Sequence, residues 1–355
     1  MTNTLTNTST LFSQHWGVYG HDWAVEHLRK SLINGRARQA YLILGAESIG
    51  KETLARAFAM AVNCTQPNIA HRPCGECSAC RRIASGNYSD VFYSQTDNNL
   101  IKIEEIRRMT AQTALKPFEG RMRVAIFRDF DLARGQSQDA MLKTLEEPAA
   151  TSMIILIARS RDAILPTITS RSQLLHLRPV PVKVVKDALD EEYRRLTASG
   201  VEVPIPVART DTYTDLLAAL SGGRIGWALN ALRDPSILDQ RRAALDLLEH
   251  CVNTTRVGRF AVADDLAKDR SALPPLLDLW LSYWRDLLLI TEHSPTPITN
   301  IDRRESLDRL AHQVDARGAL GALRATQHMI GLLATNANVR LALEIMFLDY
   351  PGLNR

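Results

Sequence analysis

The stretch Gly45-Ala46-Glu47-Ser48-Ile49-Gly50-Lys51-Glu52-Thr53 follows an apolar run at 40–44 and leads into an amphipathic segment at 52–63. A loop of this kind between a strand and a helix wraps phosphates with backbone N–H groups at the positive helix end. It sets a lysine on the terminal phosphates and offers a hydroxyl to Mg²⁺. Gly45, Gly50 and Lys51 meet the pattern. Glu52 stands where the hydroxyl residue belongs, and Thr53, one place later, points about 100° away around a helix. Gly45, Gly50, Lys51 and Thr53 are therefore the residues that would touch a nucleotide. ATP or ADP binding is left open and hydrolysis is not expected.

Outward from this loop, short apolar runs at 40–44, 91–94, 123–127, 153–158 and 174–177 alternate with helical patterns at 52–63, 103–115 and 136–146. That alternation marks an α/β domain with a mainly parallel sheet. An active ATPase also needs a strand ending in acidic residues, one for Mg²⁺ and one to orient the attacking water. The candidate, Val124-Ala125-Ile126-Phe127-Arg128-Asp129-Phe130-Asp131, offers Arg128 first, a cation where a metal ligand should be. Asp129 and Asp131 read as surface carboxylates.

Pro179 and Pro181 break the pattern, since proline removes a backbone donor and restricts its predecessor. The expected partition is a tail at 1–16, an α/β domain at 17–178, a helical lid at 179–235 and an all-α domain at 236–355. The stretch 201–214 and Gly222-Gly223 interrupt the lid helices. In the last part Trp280 and Trp284 share a helix face with Leu277, Leu281 and Leu288, the spacing of core packing. Leu341, Leu343, Ile345 and Met346 end a final amphipathic helix.

Hydrophobic residues make up 45% of the 355 and charged ones 23%, which excludes disordered, collagen-like and coiled-coil classes. No uninterrupted apolar run is long enough to span a bilayer, and 1–13 lacks the basic and apolar regions of a secretory signal, so a cytoplasmic protein is expected. The net charge of +4 allows an anionic partner without requiring one. Four of the five cysteines, Cys64, Cys74, Cys77 and Cys80, fall close together. In a reducing compartment that clustering favours a metal over disulfides, and four thiolates close a tetrahedral structural zinc site with no open catalytic position. His71 lies within the loop as a bystander, and Cys251 reads as buried apolar surface.

These residues resemble the bacterial clamp-loader subunits of DNA polymerase III, in the AAA+ superfamily. The likeness rests on Tyr19-Gly20-His21 with Leu28, Gly35-Arg36-Ala37-Arg38-Gln39-Ala40-Tyr41, the phosphate loop, and the cysteine knuckle after its helix. It continues through Met141-Leu142-Lys143-Thr144-Leu145-Glu146-Glu147-Pro148, Leu165-Pro166-Thr167-Ile168-Thr169-Ser170-Arg171-Ser172 and Asn336-Ala337-Asn338-Val339-Arg340-Leu341-Ala342-Leu343-Glu344, covering about residues 17 to 348. The resemblance implies an AAA+ RecA-like domain, a lid and a helical collar. By the family pattern the metal aspartate falls on Arg128, no first sensor stands near Ala158 and Arg159, and Gly226 replaces the sensor arginine, with Arg224 two places away.

Those departures make the chain similar to the non-hydrolysing delta-prime members. The resemblance implies a pentameric ring with gamma/tau and delta subunits that loads the beta sliding clamp onto primer-template DNA, with no membrane involved. In that ring Arg171 would act in trans as an arginine finger for a neighbouring ATP site. The rivals are a gamma/tau-like ATPase and, from another class, a P-loop small-molecule kinase. The zinc knuckle and helical C-terminal third speak against the kinase.

Overall fold

The computed structural model describes residues 16–97, 100–200, 210–333, 335 and 337–352. The tail at 1–15, most of the 201–214 stretch and Asn336 lie outside the described residues. Trp16, placed by sequence at the end of that tail, is instead 1% exposed, stacks on Phe58 at 6.1 Å and donates its indole N–H to the Arg72 carbonyl at 3.1 Å.

The chain forms two compact units. The first runs to Ala188 and takes back Gly223–Trp227; the second holds Leu189–Gly222 and the chain from Ala228 onward. The expected lid at 179–235 is thus divided between them. The proline pair marks where the sheet ends, but it does not reveal that the chain returns to the first unit at Gly223.

Among the described residues the first unit is built on five strands, β1 (Ala40–Leu44), β2 (Val91–Tyr93), β3 (Arg123–Phe127), β4 (Ser152–Ala158) and β5 (Gln173–His176). All pair in parallel, in the order β2-β3-β4-β1-β5. Every residue of β1 and β4 is buried, as expected where helices cover both sheet faces. The period of two sorts the β1 side chains. Tyr41 and Ile43 join one core with Phe58, Leu54 and Leu28, whereas Ala40, Leu42 and Leu44 join another with Ile106, Met109, Met141 and Ile168.

Helices α1 (Asp22–Ile33), α2 (Lys51–Asn63), α3 (Ser78–Ala84), α4 (Ile103–Thr113), α5 (Gly135–Asp139), α6 (Leu142–Glu146) and α7 (Pro166–Arg171) complete the unit, with the start of α8 (Val182–Ala198). The single helix expected at 136–146 is two short ones. The break consists of tight bonds from Met141 N to Gln138 O and from Thr144 N to Met141 O, both 3.0 Å. The Gln138 side chain holds it in place by donating to the Ala133 and Ala163 carbonyls and accepting from Leu165 N, each at 2.8 Å. This amide ties the break to the segment that starts α7.

The second unit is helical: α9 (Thr210–Leu220), most of α10 (Ile225–Arg233), α11 (Ser236–Asn253), α12 (Arg256–Leu266), α13 (Leu273–Thr291), α14 (Arg304–Ala311), α15 (Ala316–Leu333) and α16 (Val339–Asp349). Trp280 and Trp284 are fully buried against Phe347 and Tyr350, so their helical spacing is core packing, and Cys251 is buried beside them. On α16, Leu343 and Met346 face that core, while Leu341 and Ile345 are exposed, so half of the apolar set expected there does not enter it. The Arg259 guanidinium is buried and donates to the carbonyls of Cys251, Phe347, Tyr350 and Pro351, fastening the end of α16 to α11 and α12. Among the described residues, no helix is long and apolar enough to cross a membrane.

Candidate nucleotide site and cysteine cluster

The phosphate loop leaves the C-terminal end of β1 and enters α2, as its strand and helix flanks imply. Gly45 (φ +149°) and Gly50 (φ +105°) hold backbone conformations that L side chains rarely adopt, and a Cβ on Gly45 would meet Leu177 O at 2.8 Å. Lys51 is buried, and its ammonium donates to the loop's own carbonyls, Gly45 O at 2.6 Å and Ala46 O at 2.7 Å. Burial lowers its pKa, an effect partly opposed by Asp131. Two further donors close the loop. His21 Nε2 donates to Ile49 O at 3.0 Å, and the backbone N–H of Gly226 donates to Ser48 O at 2.7 Å.

The position expected to carry a sensor arginine is thereby sealed. A Cβ on Gly226 would lie 2.8 Å from Ser48 O, so the loop and this segment fit only because residue 226 has no side chain. The segment belongs to the same unit as the loop.

At the metal corner, the two departures seen in the sequence meet each other. Arg128 Nη2 lies 2.6 Å from Glu52 Oε1, and its guanidinium stacks over the Tyr93 ring at 4.2 Å. Ser94 Oγ accepts from Arg128 N at 2.9 Å, fixing the backbone just past β3. A second pair, Arg159 with Glu47 at 2.6 Å, bridges the end of β4 to the loop, and Asp131 accepts from Arg159 N. Thr53 sits half-buried in the first turn of α2, one residue beyond Glu52. Gly45 and Gly50 belong to the loop and Lys51 and Thr53 to the first turn of α2, beside the two ion pairs. Sequence reasoning named Glu52 and Arg128 separately; their opposite charges were the available signal that they pair.

Arg171 closes α7. Its Nη2 pairs with Glu146 Oε1 at 2.7 Å and its Nη1 donates to Thr167 O at 3.0 Å, which leaves the side chain exposed at the N-terminal side of β5. In the sequence Glu146 is one residue of a longer motif, and nothing there marks it as the partner of Arg171.

The cysteines gather at the far end of α2. Cys64 caps that helix, Cys77 caps α3 and Cys80 lies in its first turn. Cys64 Sγ is 3.5 Å from Cys74 Sγ and 3.9 Å from Cys77 Sγ, and all four sulfurs lie within 4.8 Å of one another. These separations are far longer than a disulfide bond. A zinc ion with bonds of about 2.3 Å to four thiolates gives sulfur–sulfur edges of about 3.8 Å, so the cluster fits one ion. Backbone N–H groups of Gln66 and Cys74 point at Cys64 Sγ, that of Cys77 at Cys74 Sγ and that of Cys80 at Cys77 Sγ, at 3.3–3.5 Å. Such donors favour thiolate. The Cys64 thiol is held low mainly by its hydrogen bond with Cys80, whose own thiol is pushed up by the same contact. His71 is exposed and outside the group.

If the four sulfurs hold zinc, purified protein will carry about one equivalent per chain, and Cys77→Ser will lower both zinc content and melting temperature. Less than half an equivalent, together with an unchanged melting temperature in the variant, would contradict the assignment. A second outcome concerns His21, whose pKa burial lowers from 6.5. Between the folded value and about 6.5 the unfolded chain binds more protons, so stability falls as pH drops through that window. Urea midpoints measured at pH 7.5 and 6.0 should therefore fall more in the wild type than in His21→Gln. Equal falls would show that His21 contributes nothing to this dependence.

The chain is similar to known proteins. A family model described as DNA polymerase III, delta subunit, matches residues 20–181. The chain is 32% identical over 259 residues to DNA polymerase III subunit delta' of Pseudomonas aeruginosa, covering 72% of this chain and 73% of that protein. It is 26% identical over 324 residues to subunit delta' of Bacillus subtilis, covering 90% and 93%. With subunit tau/gamma of Haemophilus influenzae the identity is 32% over 161 residues, covering 45% of this chain and only 23% of the relative's length. The chain therefore belongs to the family of DNA polymerase III clamp-loader subunits related to delta-prime and tau/gamma.

Proposed function

We propose that this chain is a delta-prime-like, non-hydrolysing subunit of a clamp loader. The observation that carries the reading is the Glu52–Arg128 ion pair, which occupies the corner where a hydrolysing site keeps a hydroxyl and a carboxylate around Mg²⁺. An arginine there repels a divalent cation, and the glutamate neutralises the arginine. The sealed Gly226 contact adds support, because it leaves no space for a sensor side chain. On this reading residues 17–178 form the AAA+ core and 236–355 the collar, and the lid at 179–235 is the stretch whose residues the two compact units share. The chain joins gamma/tau and delta in a pentameric ring in the cytoplasm, and meets the beta clamp and primer-template DNA through that ring. Zinc at Cys64, Cys74, Cys77 and Cys80 is structural.

The rival gamma/tau-like reading draws on the retained Gly45, Gly50 and Lys51, but the Glu52–Arg128 pair puts a carboxylate and a cation where a hydrolysing site keeps a hydroxyl and a carboxylate for Mg²⁺. Within the proposed ring, Arg171 lies on the side facing a neighbour's nucleotide. Its planar, always-charged fork suits phosphate oxygens, and an arginine finger can contribute roughly 10³ to 10⁵ in rate at its site. Glu146 holds the guanidinium ready at the end of α7.

The test is a loader reconstituted from this chain with gamma/tau and delta. Arg171→Ala should leave zinc content and assembly intact, lower ATP turnover by the complex and slow clamp loading by about tenfold or more. Arg171→Lys should recover only part of the loss, because a point charge does not reproduce two parallel contacts. An Arg171→Ala complex that assembles and loads at the wild-type rate would return this residue to a surface ion pair.

A further inference from the structure

The four sulfurs of the knuckle are not equally shielded. Cys64 and Cys80 are fully buried, whereas Cys74 and Cys77 are each partly exposed, on either side of a turn that Gly75 makes at φ +77°. Each exposed sulfur has a buried one beside it. Cys64 Sγ lies 3.5 Å from Cys74 Sγ and 3.9 Å from Cys77 Sγ. Cys80 N donates to Cys77 Sγ at 3.4 Å, which draws those two residues together at the start of α3.

The thiolate is the form of cysteine that attacks an oxidant, and a zinc ion keeps its ligands in that form. An oxidant arriving from water meets Cys74 or Cys77 first. The sulfur that resolves the oxidised one must already be close. Cys64 stands nearer to Cys74, which leaves Cys77 and Cys80 as the second pair. Of the possible connectivities, exposure and distance together select this one.

We propose that the knuckle is a peroxide-responsive release site, in which oxidation joins Cys74 to Cys64 and Cys77 to Cys80 and the metal is released. The proposal rests on the zinc assignment. The Cys74 thiolate attacks one oxygen of hydrogen peroxide; an S–O bond forms, the O–O bond breaks and hydroxide leaves, so that Cys74 becomes a sulfenic acid. The Cys64 thiolate then attacks Cys74 Sγ; the S–S bond forms, the S–O bond breaks and a second hydroxide leaves. The sulfurs lose two electrons and the peroxide gains them. A second peroxide converts Cys77 and Cys80 in the same way, and a site without thiolates no longer holds zinc.

The surroundings confine the change. Asn63, the last residue of α2, accepts from Arg121 N at 2.9 Å and Met122 N at 3.0 Å. Asp90, fully buried, accepts from the backbone N–H groups of Phe118, Glu119 and Gly120 at 2.7–2.8 Å. Neither anchor uses a sulfur. Oxidation therefore frees the loop at 65–80 while the turn before β3 stays fastened to the end of α2.

The experiment treats the zinc-loaded full chain with hydrogen peroxide beside an equal concentration of glutathione. Released zinc is read with a coloured chelator, disulfides by peptide mass mapping and backbone opening by hydrogen exchange. Zinc should leave before the glutathione is consumed, with Cys64 linked to Cys74, Cys77 linked to Cys80 and Cys251 still reduced. Exchange should quicken at 65–80 and stay unchanged at 118–122, and dithiothreitol with added zinc should restore the starting state. Zinc still bound when the glutathione is gone would overturn the proposal. So would a Cys74–Cys77 link, or release accompanied by sulfinic acids without disulfides. A chain that purifies with free thiols and no zinc would overturn the zinc assignment itself, and the release site with it.

Discussion

Glu52 and Arg128 are 76 residues apart in sequence and 2.6 Å apart in space. The parallel sheet imposes that meeting. The first turn of α2 follows β1, Arg128 follows β3, and both leave the same end of the sheet with β4 between them. Whatever residues stand at these two positions will be neighbours, so their charges must balance. In a hydrolysing site the balance is struck by a divalent ion between a hydroxyl and a carboxylate. Here an arginine stands in place of the carboxylate and a glutamate in place of the hydroxyl, and the two pair directly. Both groups keep substantial contact with water, so the pair matters as a local exclusion of metal more than as a source of stability.

Around that pair further bonds hold the loop. Lys51 turns to the carbonyls of Gly45 and Ala46, His21 and Gly226 hold Ile49 and Ser48, and Arg159 holds Glu47. The opposite end of the unit is fastened by different means. The cysteine cluster, Asn63 and Asp90 bind the end of α2, the knuckle and the turn before β3 into one polar framework.

The strands were legible because β1, β3 and β4 are continuous apolar runs bounded by turn residues, and their bounds in space agree to within a residue. The cysteines were legible because zinc chemistry depends on spacing. The break inside 136–146 was not, since it depends on Gln138 reaching the Ala163 carbonyl, 25 residues away. Trp16 looked like the end of a polar tail because its partner, Phe58, lies on another element. The exposed half of α16 and the pinning of Phe118 by Asp90 were likewise invisible, because periodicity tells which residues share a face and not what covers it. Gly226 was read as the loss of an arginine, whereas the fold uses it as a close approach to Ser48.

The central claim is that the phosphate loop of this chain is held by internal ion pairs and does not turn over nucleotide. Mg·ATP hydrolysis by the purified chain, measured alone and with clamp and primed DNA, tests it most directly. The rate should equal the protein-free blank, be unaffected by Lys51→Ala, and stay silent in Glu52→Thr because Arg128 remains. Hydrolysis by the wild-type chain that Lys51→Ala abolishes would contradict the claim and make this subunit a motor of the gamma/tau kind.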